Sequence, residues 1–251
     1  MEKADNCIRA RKAYSQLGIS YMVIDFAAMM LGSMFVTKVL GYEDNVMPDN
    51  MEILYDIIIR FVVILPLVYL AIRKLPRFEI EKKKLGIKNF LKCVSVDCSL
   101  KTLAAIFTFA LISVISAVTG IHTVNPIIAD VSSMSMLRQI LVVCIIAPVF
   151  EELLYRKLLI DRIAHYGEVA AMLLSGIMFG LAHGNIYQFF FTTVAGCFFA
   201  FVYLRTGKIQ YTIFMHMITN SFNTIIRVIV SLIEGNNKTV AYFRVNIDSE
   251  K

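Results

Sequence analysis

Long apolar blocks separated by short charged stretches dominate the pattern of this chain. A helix crossing the hydrocarbon of a bilayer needs ~20 mostly apolar residues. Seven stretches meet that description, at about 19–41, 53–73, 99–120, 136–160, 168–185, 187–204 and 210–233. The segment "IKNFLKCVSV" before the third reads as an interfacial lead-in or a separate re-entrant helix, and "HGNIY" is a very short turn between the fifth and sixth. The expected fold is all-α: a polytopic membrane bundle of about seven transmembrane helices, six to eight in range. No soluble insert is long enough to fold alone, so residues 1–251 read as one integral membrane domain.

Composition agrees with the pattern. Of 251 residues, 58% are hydrophobic, and the mean hydropathy is +0.68; soluble domains are nearer ~45–50% apolar. The net charge of +6 could suggest nucleic acid, but the bases cluster beside the apolar spans, so membrane topology accounts for them and no nucleic-acid partner is expected. Arg73, Lys74, Arg77, Lys82, Lys83, Lys84, Lys88 and Lys92 crowd one connection, while the preceding one holds Glu43, Asp44, Asp49 and Glu52 without a base. The N-terminus and the 73–92 connection are therefore expected on the cytoplasmic side, and seven spans would leave the C-terminus outside. "EKKK" at 81–84 reads as this topology signal rather than an anionic-lipid patch. The apolar run after Lys3, Arg9, Arg11 and Lys12 is too long for a signal peptide and lacks a small-x-small cleavage site, so it reads as an uncleaved span. Five cysteines without zinc spacing read as free thiols.

Ionisable groups inside such spans are expensive and draw attention to function. Several have simpler readings. Asp56 and Arg60 can pair at i, i+4; Asp25 is read as an inter-helix hydrogen bond; Lys38 and Arg227 can snorkel; His122 and His165 fall in loops. Three clusters resist this. In "PVFEELLYR", Glu152 and Arg156 have ion-pair spacing, and Glu151, rotated about 100° away, is left free to act; Pro148 loosens the helix just before them. His183 ends "FGLAH". In "HMITN", His216 and Asn220 stack on one helix face, with Asn223 close to one further turn along. One free carboxylate, two histidines and an amide on three greasy helices point to one shared polar site. A desolvated glutamate can act as general base toward water. Histidine can share the proton or ligate a metal, and histidine and asparagine can donate to an oxyanion. Glu151, His183 and His216 also form a possible zinc set; HExxH is absent, and a metal-free mechanism stands equally open.

"EELLYR", "FGLAH" and "HMITN" resemble, in order, the EExxxR, FxxxH and Hxxx(N/B) signatures of the CPBP intramembrane proteases. That family includes the Rce1-type CAAX prenyl endopeptidases and the bacterial Abi proteins. The resemblance covers about residues 90–230. It implies a multi-helix fold with an intramembrane cavity. Glu151 would activate water with His183, His216 and Asn220 would stabilise the oxyanion, and Glu152 and Arg156 would support the site. It also implies a membrane-associated peptide or protein substrate, in a bacterial cell membrane, and leaves metal dependence and prenylation open. The alternative is a non-catalytic membrane protein of the same fold, acting in bacteriocin self-immunity or as a scaffold; a small proton-relaying transporter is a third reading. One feature fits imperfectly: the expected span ends put Glu151 ~15 Å and His183 ~23 Å from the cytoplasmic connection.

Overall fold

The computed structural model describes residues 2–42, 47–121, 134–222, 224–226 and 229, with side chains from residue 8 onward. Glu43, Asp44, His122, Asn223 and Arg227, and the side chains of Lys3 and Cys7, lie outside the described residues, as does the side of the membrane on which the chain ends. The described residues form seven helical rods and no strand: α1 (Glu2–Lys38), α2 (Asp49–Ile72), α3 (Ile87–Thr119), α4 (136–163), α5 (Glu168–Leu181), α6 (Ile186–Thr206) and α7 (209–222). The all-helical membrane bundle expected from the hydropathy pattern is what forms.

Three expectations need correcting. The lead-in and the third span are one continuous helix, because nothing between Ile87 and Thr119 breaks it. The first span belongs to a helix that begins at Glu2, far ahead of residue 19. The fifth expected span yields a helix of only 14 residues, ~21 Å long and short of a ~30 Å hydrocarbon layer. By length and composition α1, α2, α3 and α6 can cross a membrane. Their outward faces are strongly apolar, with Phe26, Val62 and Val118 each at least 65% exposed, as lipid contact requires.

Two prolines reshape the helices they interrupt. Pro66 and Pro148 donate no N–H, and each ring crowds the carbonyl four residues back. The helix accommodates this by widening ahead of each ring. The N–H of Leu65 reaches back five residues to the Arg60 carbonyl, and that of Ala147 reaches the Val142 carbonyl. Such wide turns alter which side chains share a face. In α4 a second wide section, Leu153–Leu158, follows directly, so the two carboxylates of "FEE" sit between two loosened turns.

Close backbone approach fixes α5 against α6. The glycines of "GIMFG" lie four apart, and a Cβ on Gly176 would stand 2.7 Å from the Cys197 backbone nitrogen, one on Gly180 2.9 Å from the Phe189 carbonyl oxygen, and one on Gly196 2.9 Å from the Gly176 Cα. Small residues at this spacing let helices touch without a side-chain layer. The main core then gathers Leu17 and Tyr21 of α1, Ile64 and Val68 of α2, Leu154 and Leu159 of α4, Phe179 of α5 and Tyr203 of α6. The 74–86 strap crosses one end of the bundle: Phe78 N–H donates to the Asp161 carbonyl at 2.7 Å and Lys83 N–H to the Thr206 carbonyl at 2.8 Å. Beneath it the buried Asp161 carboxylate takes Tyr203 Oη at 2.6 Å, Lys157 at 2.8 Å and Arg77 at 3.1 Å. Arg162 is buried at the same end, its Nε donating to the Ile72 carbonyl at 3.2 Å.

Candidate active site

The site is built on α4. Glu152 and Arg156 are fully buried and face one another, Oε2 to Nε at 3.2 Å. Breaking a buried pair of this kind costs several kcal/mol, because the survivor is an uncompensated charge. The guanidinium is held from other sides. Its Nη1 donates to Ser175 Oγ at 3.4 Å, Ser175 in turn donates to the Tyr155 carbonyl at 2.9 Å, and the rings of Phe179 and Phe199 lie 4.9 and 5.6 Å from the guanidinium carbon. Among the described residues Arg156 Nε and Nη2 have no hydrogen-bond acceptor, and the two aromatic rings give the guanidinium a cation–π contact in its place.

His216 of α7 stands between the two carboxylates. Its Nδ1 is 3.1 Å from Glu152 Oε1, and its Nε2 is 3.7 Å from Glu151 Oε2. A carboxylate only accepts, so Nδ1 carries the proton toward Glu152 and Nε2 is directed at Glu151. The 3.7 Å gap is too long for a direct hydrogen bond and within the span one shared water can bridge. Glu151 keeps 17% of its side chain exposed, against none for Glu152. Phe179 packs edge-on to the His216 ring at 5.7 Å, and Phe199 packs at 5.2 Å, so the imidazole has little room to rotate.

His183 lies just past the end of α5. Its Nδ1 is 2.8 Å from the Phe179 carbonyl; a carbonyl accepts, so Nδ1–H donates and the Nε2 lone pair faces outward. Its ring is perpendicular to Phe179 at 4.9 Å, so one phenyl ring separates the two histidines. Asn185 caps α6 and fixes the turn, receiving Gln188 N–H at 2.9 Å and donating to the His183 carbonyl at 2.8 Å. Asn220 donates from Nδ2 to the Val143 carbonyl at 3.0 Å, inside the wide section ahead of Pro148. One of its N–H groups is thus committed to the α4 backbone and one remains. The depth mismatch expected from sequence shrinks, because α4 continues to Ile163: Glu151 is then ~18 Å and His183 still ~23 Å from their shared connection.

The structure therefore brings Glu151, Glu152, Arg156 and His216 into one contact network and places His183 across Phe179 from it. It does not form a three-donor set: among the described residues no three His, Cys, Asp or Glu side chains are grouped to hold a metal ion. Glu151 faces His216 Nε2, while Glu152 is taken up by His216 Nδ1 and Arg156, which falls short of the three protein ligands of a catalytic zinc.

Two groups join the neighbourhood that the sequence did not assign to it. Asp25 of α1 interacts electrostatically with Glu151, His183 and Arg60, and Arg60, paired with Asp56 at 3.2 Å as its spacing predicts, stands 5.4 Å from the Phe150 ring next to Glu151. Asp97 and Lys101 of α3 pair at 2.8 Å in the bundle interior, and Lys101 donates to Thr219 Oγ1 at 2.7 Å and lies 4.9 Å from the Phe199 ring. The i, i+4 spacing of Asp97 and Lys101 was visible in the sequence; nothing in the sequence joined Asp25 to the site.

Comparison with known proteins places these observations. Residues 133–222 match the family described as type II CAAX prenyl endopeptidase Rce1-like. The chain is 26% identical over 232 residues to the "Putative membrane peptidase YdiL" of Bacillus subtilis (strain 168), covering 86% of this chain and 90% of that protein. No solved structure matches. Both matches agree with the CPBP resemblance seen in the three motifs, and the long apolar helices make the chain an integral membrane protein.

Proposed function

We propose that this chain is an intramembrane endopeptidase that hydrolyses a peptide bond of a membrane-associated peptide or protein with Glu151 as general base. The observation that carries the reading is the unequal fate of two neighbouring carboxylates. Glu152 is neutralised by Arg156 and bound by His216, whereas among the described residues Glu151 pairs with no lysine or arginine, keeps part of its surface open and faces the other nitrogen of the same histidine.

The chemistry follows from these positions. A water between Glu151 and His216 Nε2 gives a proton to Glu151, and the resulting hydroxide attacks the scissile carbonyl carbon. Negative charge develops on the carbonyl oxygen. His216, entering the step as an imidazolium whose Nδ1–H is held and charge-balanced by Glu152, and the uncommitted N–H of Asn220 are the donors for it, and His216 neither gains nor loses a proton in the step. Collapse of the tetrahedral intermediate breaks the C–N bond, and the proton held by Glu151 passes, with His183, to the leaving amine. Arg156 and Glu152 hold His216 in place and take no proton. The donors around Glu151 do not make a three-ligand zinc site, and no step is assigned to a metal.

The test compares wild type with Glu151→Gln, each purified in detergent and incubated with a library of membrane peptides. Gln keeps the volume and removes the base. Products from wild type alone support the reading; identical product patterns from both proteins, or none from either, move the assignment to a non-catalytic immunity or scaffold protein of the same fold.

A further inference from the structure

Resting on the protease reading, we infer that substrate enters sideways from the lipid, as an extended segment of a membrane polypeptide, through the cleft between α1 and α5.

A cavity of about 240 Å³ lies between these two helices, walled by Tyr21, Asp25 and Met29 of α1, Tyr155 of α4, and Met178 and Gly184 on the α5 side. Its outer rim is apolar and faces lipid: Met22, Phe26 and Leu181 are 56%, 69% and 45% exposed. Its inner end is polar. Tyr21 donates to the Leu154 carbonyl at 2.9 Å, which sets the register of α1 on α4. One turn further along α1 is Asp25, and one turn back along α4 from Tyr155 is Glu151. The cleft thus runs from the lipid face to Asp25 and Tyr155, and Asp25 interacts electrostatically with the proposed base, one α4 turn back from Tyr155.

Backbone chemistry selects this cleft over the larger alternative. A peptide bond must leave its helix to be attacked, and its freed N–H and C=O groups then need partners at membrane depth. Here α5 stops at Leu181 and the chain turns through Gly184 in the left-handed region, φ 65°, so irregular backbone already lies at the cleft beside the Asp25 carboxylate. Such backbone at that depth is tolerated where it lines a polar cavity. A larger cavity, about 510 Å³ between α1 and α2, is walled by aliphatic and aromatic side chains, with Tyr55 contributing its one hydroxyl-bearing side chain. It offers an extended backbone almost nothing.

The test bridges each cleft in a cysteine-free background, in proteoliposomes. Cysteines replace Phe26 and Leu181 across the α1–α5 cleft in one protein, and Leu31 and Leu54 across the α1–α2 cavity in another. Each pair is joined with a bis-methanethiosulfonate reagent and released with dithiothreitol; the probe is a quenched-fluorescent single-span peptide cleaved by wild type. Bridging Phe26→Cys to Leu181→Cys is expected to slow cleavage at least tenfold, with recovery on release, while the Leu31→Cys/Leu54→Cys bridge changes the rate less than twofold. Equal rates bridged and released at the α1–α5 cleft overturn the inference, as does a block confined to the α1–α2 bridge. A second measurement needs no turnover: p-benzoylphenylalanine at position 26 in Glu151→Gln should photo-crosslink single-span peptides from the library, and at position 54 should not. Crosslinking at 26 without wild-type cleavage would keep the entry path and sink the protease reading; crosslinking at 54 alone would sink the entry path.

Discussion

The seams α5–α6 and α1–α2 join pairs of apolar helices in opposite ways. Along α5–α6 the glycines at 176, 180 and 196 bring backbones so close that an added methyl would meet a backbone atom at 2.7 to 2.9 Å. Along α1–α2 only Gly32 makes such an approach, against the Tyr55 hydroxyl, and a cavity of about 510 Å³ separates much of the rest. The tight seam carries Phe179, the ring between the two histidines. The helices of the loose seam carry Asp25 and Arg60, which interact electrostatically with each other, and Asp25 does so with Glu151. Lipid tails are as apolar as the side chains facing them, so helices hold together by close packing and polar contacts rather than by a hydrophobic drive. Rigidity is therefore found where backbones touch, and freedom to part where they do not.

Substitutions break or sharpen this contrast. Glu151→Gln should lower the cleavage rate by ~10²–10⁴, the usual contribution of a general base, with an unchanged melting temperature. Arg156→Ala should destabilise by about 3–5 kcal/mol, because it strands Glu152 without compensation in the bundle interior; urea or thermal melts in detergent check it, and the double variant Arg156→Ala/Glu152→Ala should recover part of the loss. Gly176→Ala should cost ~1–3 kcal/mol by forcing two backbones apart and should slow cleavage as Phe179 shifts. The same change at Gly32 meets only the end of the Tyr55 side chain and should cost under ~1 kcal/mol. Equal losses at Gly176 and Gly32 would erase the difference between the seams. The smallest effect is expected of chelation: with two facing donors in place of three, 1,10-phenanthroline should leave cleavage within twofold, and a complete loss reversed by zinc would show that a third ligand joins Glu151 and His216.

Hydropathy alone set out most of the helices, since a bilayer admits few other structures and the length of an apolar block states whether it can cross. Spacing along one helix was equally legible: Asp56 with Arg60 and Glu152 with Arg156 pair as i, i+4 neighbours must, and the isolation of Glu151 follows from its 100° rotation. The "GIMFG" spacing was a further local signal for the α5–α6 contact.

What tertiary structure alone decided lies between helices. No local rule states that His216 would divide its two nitrogens between Glu151 and Glu152, that Asn220 would spend an N–H on the Val143 carbonyl, or that Asp25, 126 positions from Glu151 in the chain, would share its field. The turn at "HGNIY" was legible, but not that α5 would stop at Leu181, short of the expected end at 185. Helix periodicity fixes which residues share a face; which faces meet, and at what height, depends on backbone approach at the glycines, on the turns widened by Pro66 and Pro148, and on where each helix stops.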